Sequence, residues 1–96
     1  MVASLAKFRI FETAQFQKDL AQDFSGQQAR IQRKLTLQAY PQLRENPYTG
    51  KHIKKLRNYH PETWRYRIGD YRFFYTIDDH QHIIFMLAAD ARGEAY

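Results

Sequence analysis

The stretch WRYRIGDYR, residues 64–72, decides the fold of this chain. Its dipeptide Gly69-Asp70 favours a two-residue turn, and aromatic and β-branched residues flank that turn on both sides. The pattern predicts a β-hairpin with strands over residues 64–68 and 71–77.

The predicted register sorts the side chains of the hairpin into two faces, because side chains alternate along a strand. The apolar face carries Trp64, Tyr66, Ile68, Tyr71, Phe73 and Tyr75. The other face carries Arg65, Arg67 and Arg72, with Arg67 directly opposite Arg72. Like charges in that position destabilise a strand pair by roughly 0.2–1 kcal/mol. A solvated polar face would explain the arginines without a function, but few acidic residues lie near them. Because a guanidinium matches the geometry of phosphate, the arginine face predicts a phosphate-binding site.

Composition restricts the class of protein. The 96 residues suffice for one domain with one hydrophobic core, expected to span residues 1–96. The chain has no cysteine, which excludes disulfides and thiolate metal sites. Its four histidines lack the spacing of metal ligands, and no cofactor is expected. No segment has the length of a membrane span, and no signal peptide is evident, so we expect a cytoplasmic protein.

The net charge of +5 is concentrated around the hairpin. Residues 51–72 contain seven Lys or Arg against two Asp or Glu, whereas residues 73–96 contain one against four. Such a local excess favours a polyanionic partner, either nucleic acid or an acidic protein. Lysines on an edge strand also deter aggregation, so the basic run before the hairpin has a second explanation. The candidate RNA-binding residues in that run are Lys51, Lys54, Lys55 and Arg57.

Two helices are predicted in the first half of the chain. The first begins after a Thr13 cap and carries an apolar stripe of Phe16, Leu20 and Phe24. The second has Ile31, Leu35 and Ala39 on its inner side. It is expected to end or kink at Pro41, because a residue before proline, here Tyr40, is biased away from the α region.

Strands are predicted before and after the helices. A short β-like run covers Phe8–Phe11, and the period of two resumes at Ile53–Arg57. The run Ile83–Ala88 is apolar on both faces and is expected to be a central strand. The predicted order is β-α-α-β-β-β-β: an α+β domain with two N-terminal helices packed on a mainly antiparallel, twisted sheet.

Several of these residues together resemble a known family. They comprise Phe16 and Leu20, Ile31 and Leu35, Asn46-Pro47, Gly50-Lys51, Lys55-Leu56, Trp64-Arg65, Arg67, Gly69-Asp70-Tyr71-Arg72, Tyr75, Ile77-Asp78, Arg92 and Glu94-Ala95-Tyr96. The chain resembles the RelE/ParE superfamily of bacterial toxins, in particular its RelE-like messenger-RNA interferases. The resemblance covers nearly the whole length in one order.

This resemblance implies an enzyme and its partners. RelE-like toxins are metal-independent endoribonucleases that cut translated messenger RNA in the ribosomal A site. The 2′-hydroxyl attacks the adjacent phosphate, leaving a 2′,3′-cyclic phosphate and a 5′-hydroxyl. A small antitoxin from the same operon normally silences them, in a toxin–antitoxin hetero-oligomer. No membrane partner is implied.

The resemblance also implies catalytic residues. Arg65 and Arg67 match the two basic residues of the first hairpin strand, and Arg72 matches the arginine after the turn. Arg92 lies near the position of the C-terminal arginine, and Tyr96 matches the C-terminal tyrosine. Arginines would stabilise the charge of a pentacoordinate phosphate, and Tyr96 would stack on a base.

Two departures from the pattern leave the general base unassigned. Some members have a lysine where Arg65 or Arg67 stands, and an arginine cannot be deprotonated in its place. A histidine often found before the C-terminal arginine is replaced by Ala91. Asp90 and Glu94 are nearby candidates for the base. Two alternatives therefore stay open: a ParE-like inhibitor of DNA gyrase, and a toxin fold with weakened catalysis that acts through antitoxin binding.

Overall fold

Five strands and three helical segments form the chain in the computed structural model, which describes residues 7–24 and 26–91. In chain order the elements are β1 (Arg9–Glu12), α1 (Ala14–Asp23), α2 (Gln28–Lys34), a π-helical turn (Leu35–Ala39), α3 (Tyr40–Glu45), β2 (Ile53–Lys55), β3 (Trp64–Ile68), β4 (Tyr71–Asp78) and β5 (Ile83–Asp90). The segments α2, the π-helical turn and α3 are continuous, so α1 and this second helical run correspond to the two predicted helices. No helix among these elements is long and apolar enough to cross a membrane.

The sheet has the strand order β1-β5-β4-β3-β2. Strand β1 pairs with β5 in parallel, and all other neighbours are antiparallel. The α+β prediction is therefore confirmed. The hairpin register is also confirmed, with Arg67 opposite Arg72 and Arg65 opposite Phe74. Gly69 adopts a φ of 59°, the left-handed conformation that this turn requires.

The helices cover one face of the sheet and bury the core there. The predicted stripes are confirmed, since Phe16, Leu20, Ile31 and Leu35 are all buried. They meet the apolar face of the hairpin; for example, Phe16 and Phe73 have ring centroids 6.2 Å apart. Thr13 caps α1, its hydroxyl accepting a hydrogen bond from the Phe16 backbone N–H at 3.2 Å.

The second helical run was predicted to end or kink at Pro41, and the structure excludes the first of these outcomes. Tyr40 is helical, with φ −65° and ψ −42°, and the helix continues to Glu45. A proline inside a regular α-helix lacks its own N–H and clashes with the carbonyl four residues earlier. Here the π-helical turn immediately precedes Tyr40, whose N–H bonds to the Leu35 carbonyl, five residues back. This wider spacing accommodates Pro41 at the start of α3.

Strand β2 is shorter than predicted and ends at Lys55. The chain then leaves the sheet, and the Leu56 N–H donates to the Thr63 carbonyl at 2.9 Å, closing residues 57–62 into a loop. Arg57, predicted to lie in a strand, is therefore a loop residue. Within the loop Asn58 has a φ of 63°.

A bulge interrupts the pairing of β4 with β5. Phe74 pairs with Ala88 and Tyr75 with Met86, so Leu87 is the extra residue. The Asp19 carboxylate of α1 accepts the Ala89 N–H at 2.9 Å, which holds the end of β5 against the helix.

Candidate phosphate-binding face

The sheet face opposite the helices carries a cluster of cations that spans three adjacent strands. Arg65 and Arg67 lie on β3, and Arg72 lies opposite Arg67 on β4. Lys54 of β2 lies directly opposite Arg65. We call these four residues the basic cluster. On the far side of Arg72, Asp90 of β5 is the cross-strand partner, so a carboxylate stands at the edge of the cluster.

The guanidinium groups of the cluster are held in different ways. Arg67 is exposed, and its Nε donates to the Gly69 carbonyl at 2.8 Å, which ties the side chain to the turn. Arg65 and Arg72 are half-buried, and the Nε atom of each is buried without a hydrogen-bond partner in the described part of the chain. A buried donor of this kind costs about 1–3 kcal/mol when unsatisfied.

Electrostatics within the cluster are unfavourable without a ligand. Burial, and then the charges of Arg67 and Arg72, lower the pKa of Arg65. The two ion pairs found between described residues, Lys7–Glu45 and Lys55–Glu62, both lie outside the cluster. The arrangement is one that a bound phosphate would stabilise, because it supplies negative charge and several acceptors at once.

The four predicted RNA-binding residues do not form one surface. Lys54 belongs to the basic cluster, but Lys55 lies on the other face of β2, opposite Trp64. Its Nζ is 3.0 Å from the Glu62 carboxylate and 5.7 Å from the centroid of the Trp64 ring. Lys51 and Arg57 are exposed and flank β2 on either side. Successive side chains of a strand point to opposite faces, so the separation of Lys54 from Lys55 was predictable from the sequence.

Two predicted catalytic residues lie outside the described residues. Arg92 and Tyr96 belong to the range 92–96, and their roles stay predictions. Among the residues the structure describes, no group of three or more His, Asp or Glu side chains is arranged to hold a metal ion.

Two features of the molecule were missed in the sequence. On the face of the basic cluster, Phe11 of β1 is 55% exposed and meets Phe85 edge-on with ring centroids 5.8 Å apart, so this face is apolar towards its other end. The second is a cavity in the loop after β2, which involves Arg57 and Tyr59. In the sequence, Arg57 and Tyr59 place a cation and an aromatic ring two residues apart, but this segment was predicted only as a loop between two strands.

Comparison with known proteins assigns the family. A sequence profile of the family described as the ParE toxin of the type II toxin–antitoxin system parDE matches residues 10–96. The chain belongs to the RelE/ParE superfamily of type II toxins. No protein of curated function shows significant sequence similarity to it.

Solved structures agree with this RelE/ParE fold. The toxin–antitoxin complex RelBE2 from Mycobacterium tuberculosis matches with a TM-score of 0.69 and 26% identity, covering 90% of this chain and 99% of that chain. The archaeal RelE–RelB complex from Pyrococcus horikoshii matches with a TM-score of 0.60 and 22% identity, covering 93% and 99%. An arginine-to-alanine double mutant of E. coli RelE in the free state matches with a TM-score of 0.63 and 18% identity, covering 92% and 85%. The last two likenesses concern the fold alone.

Proposed function

We propose that this toxin is a metal-independent, ribosome-dependent endoribonuclease that cleaves translated messenger RNA in the A site. The observation that carries the proposal is the basic cluster: Arg65, Arg67 and Arg72 share the sheet face opposite the helices, and two of them have buried Nε donors without a partner among the described residues. RNA supplies a phosphate for such a site, and the rigid strand pair fixes the position of the donors.

The proposed reaction is an in-line displacement at phosphorus. The 2′-oxygen forms a bond to phosphorus and loses its proton, while the bond from phosphorus to the 5′-oxygen breaks and that oxygen takes up a proton. Arg65, Arg67 and Arg72 would stabilise the added negative charge on the phosphoryl oxygens. The arginines cannot accept the 2′ proton, since they stay protonated in proteins.

Asp90 is the proposed acceptor of that proton. It is the cross-strand partner of Arg72, so its carboxylate borders the position expected for the phosphate. Arg92 and Tyr96 complete the proposed site on the resemblance of the C-terminal sequence to RelE-like toxins. Tyr96 would stack on a base and hold the nucleotide bent for attack.

Primer extension on a messenger RNA in a purified translation system tests this function. Wild-type protein, Arg67→Ala and the control Arg33→Ala would be compared with and without ribosomes. Arg33 is an exposed residue of α2, so the control removes the same charge elsewhere. Discrete cuts that need ribosomes, persist in Arg33→Ala and vanish in Arg67→Ala are expected. Intact message with the wild-type protein would contradict the proposal.

The family match favours a second candidate, inhibition of DNA gyrase. The family whose profile matches residues 10–96 is described as the ParE toxin of the parDE system. A supercoiling assay with purified gyrase distinguishes the two functions. Loss of supercoiling together with intact message would select gyrase inhibition, whereas normal supercoiling with cut message would exclude it.

We also propose an antitoxin as the physiological partner, since the matching structure from Mycobacterium tuberculosis is a toxin–antitoxin complex. The proposed assembly is a toxin–antitoxin hetero-oligomer that leaves no free nuclease. Co-expression with the neighbouring gene product, followed by size-exclusion chromatography, tests it: a single complex of toxin and antitoxin is expected, and two separate peaks would contradict it.

A further inference from the structure

The loop between β2 and β3 borders an open cavity that lies outside the basic cluster. Its volume is about 520 Å³, within the usual range for small-ligand pockets. The side chains that give it chemical character are Arg57, Asn58, Tyr59, His60 and Glu62. Lys55 also lines the cavity, and the sequence-based function uses only Lys55 and Arg57 of the lining residues, as general contacts to the RNA backbone.

The lining of the cavity presents an aromatic ring and polar side chains that have no partner among the described residues. Tyr59 is 37% exposed, and among the described residues neither its ring nor its hydroxyl has a partner. Arg57 and His60 are exposed and likewise make no ion pair or hydrogen bond within the described part of the chain. Glu62, by contrast, is fixed by its contact with Lys55 at 3.0 Å. The Tyr59 ring, the Arg57 guanidinium and the His60 imidazole are thus available to a ligand, beside a wall that includes the Lys55–Glu62 ion pair.

This set of groups fits a nucleotide better than other small ligands. A base can stack on the Tyr59 ring, and such stacking tolerates any base because every base has a π-face. The Asn58 amide and the Glu62 carboxylate can bond to the edge of a base, and Arg57 can contact a phosphate. Asparagine adopts the left-handed conformation more readily than most residues, so the φ of 63° at Asn58 shapes the loop at little cost.

The cavity lies close to the basic cluster along the same strand. Thr63 closes the loop through its carbonyl, and Arg65 and Arg67 follow on β3. At about 3.3 Å per residue, Arg67 is roughly 13 Å beyond Thr63. Lys54 and Arg65, opposite one another, lie between these two points. Lys55 lines the cavity and lies on the other face of β2 from Lys54, so a single strand that contacts both the cavity and the cluster would pass around the edge strand β2.

We propose that the loop of residues 56–63 is a nucleobase pocket that seats a base of single-stranded RNA whose neighbouring phosphate contacts the basic cluster. The inference rests on the proposed function for the identity of the polyanion, and it adds a second contact that selects which stretch of RNA is held. Tyr59 supplies the stacking surface, Arg57 the phosphate contact, and Asn58 with Glu62 the contacts to the base edge.

Fluorescence anisotropy with a labelled 2′-O-methyl RNA of about ten nucleotides tests the pocket directly, because this probe binds without being cleaved. Wild type, Tyr59→Ala, Tyr59→Phe and Arg57→Ala would be compared, with Arg33→Ala as the charge control. Tyr59→Ala should weaken binding about tenfold or more, whereas Tyr59→Phe keeps the ring and should stay near wild type. Arg57→Ala should weaken binding more than Arg33→Ala.

The outcomes separate the pocket from the nuclease. Unchanged affinity in Tyr59→Ala, or no binding of the probe by the wild-type protein at low salt, would overturn the pocket even where messenger RNA is cut. Binding that depends on Tyr59 while messenger RNA stays intact would support the pocket and reject the nuclease. Because Tyr59 lies on an exposed loop, the variant is expected to fold, and thermal unfolding checks this.

Discussion

At the scale of single residues, Arg65 stands half-buried with cations on three sides. Lys54 lies opposite it across β2, Arg67 is two residues further along the same face, and Arg72 is diagonal to it on β4. Burial and the two arginines lower its pKa, so the charged form is less favourable here than in water. The charge of Arg65 is thus opposed by its surroundings among the described residues, and a bound anion would offset that repulsion.

Replacing Arg65 with methionine should stabilise the protein and abolish its activity. Arg65→Met keeps an unbranched apolar stem but removes the charge and the unsatisfied Nε donor. Because each like-charge neighbour in a sheet contributes roughly 0.2–1 kcal/mol of repulsion, the free energy of unfolding should rise by about 1 kcal/mol. Urea denaturation measures this change as a shift in the midpoint urea concentration, provided that the dependence of the unfolding free energy on urea keeps the same slope.

Salt provides the control for this change. Repulsion between partly exposed charges is screened, so the gain in Arg65→Met should shrink as salt is added. Arg33→Met, at an exposed position of α2, should leave stability nearly unchanged. A loss of stability in Arg65→Met would mean that Arg65 has a favourable partner, and the interpretation of the basic cluster as a strained anion site would be wrong.

Residues of the hairpin were predictable because the information is local. The Gly69-Asp70 turn fixes which side chains face one another, and alternation then separates the arginines from the apolar face. The same alternation separates Lys54 from Lys55, but the basic run was treated as one surface. Roles assigned to Arg92 and Tyr96 depend on where the chain goes after β5, which no local pattern specifies.

At the scale of elements, strand β5 depends on a contact from a helix far away in sequence. Its bulge at Leu87 leaves the Ala89 N–H to be satisfied by Asp19 of α1, at 2.9 Å. The next residue, Asp90, is the proposed proton acceptor opposite Arg72. Asp19 therefore positions the end of β5, the strand that carries Asp90.

Asp19→Ala should destabilise the protein by about 1.5–3 kcal/mol, the usual value for a hydrogen bond to a charged group. Asp19→Asn keeps an acceptor oxygen and should lose less. Asp23→Ala is the matched control, because Asp23 is exposed near the C-terminal end of the same helix, where a negative charge is unfavourable. Urea unfolding gives the three values, and equal effects at Asp19 and Asp23 would contradict the role of the Ala89 contact.

The second helical run shows why element boundaries were harder to predict than elements. Its apolar stripe predicted a helix correctly, but the rule for residues before proline predicted an end or a kink at Pro41, and the helix continues to Glu45. Tyr40 stays helical where its hydroxyl donates to the Glu12 carboxylate of β1 at 2.5 Å, a contact 28 residues apart in sequence. Gln32 donates to the same carboxylate at 3.3 Å. Tertiary contacts of this kind, together with the π-helical turn, override a local preference.

At the scale of the whole molecule, four tyrosines make stability sensitive to alkaline pH. Burial raises the pKa of Tyr40, Tyr66 and Tyr75. Burial and the hydrogen bond to Asp79 raise the pKa of Tyr48 to about 12. Tyrosines of the unfolded chain lose their protons near pH ~10, so above that pH the folded state binds more protons than the unfolded state.

The free energy of unfolding should therefore stay level below about pH 10 and fall as the pH rises from there towards 12. Tyr75→Phe should make this decline shallower, while costing stability at neutral pH because the Tyr75 hydroxyl donates to the Pro47 carbonyl at 2.7 Å. Urea denaturation at a series of pH values measures both effects. Stability that stays level up to pH 12 would contradict the assignment.

The distribution of charge over the molecule yields a sharper test than its total of +5. Two triple variants remove three positive charges each. The first variant changes Arg65, Arg67 and Arg72 of the basic cluster to glutamine. The second changes Arg30, Arg33 and Lys34 of α2, on the helical side of the sheet, to glutamine. Both have the same net charge, so any difference between them reports position alone.

If RNA phosphates bind at the basic cluster, only the first variant should lose phosphate contacts. For single strands the slope of log affinity against log salt is about −0.7 per neutralised phosphate, so losing three contacts should make it shallower by about 2. The helical variant should keep nearly the wild-type slope, because its charges act only through the long-range field, which salt screens. Anisotropy titrations of the 2′-O-methyl RNA over a range of salt concentrations give both slopes. Equal slopes in the two variants would mean that RNA is attracted by net charge alone, and the basic cluster would not be the RNA-binding site.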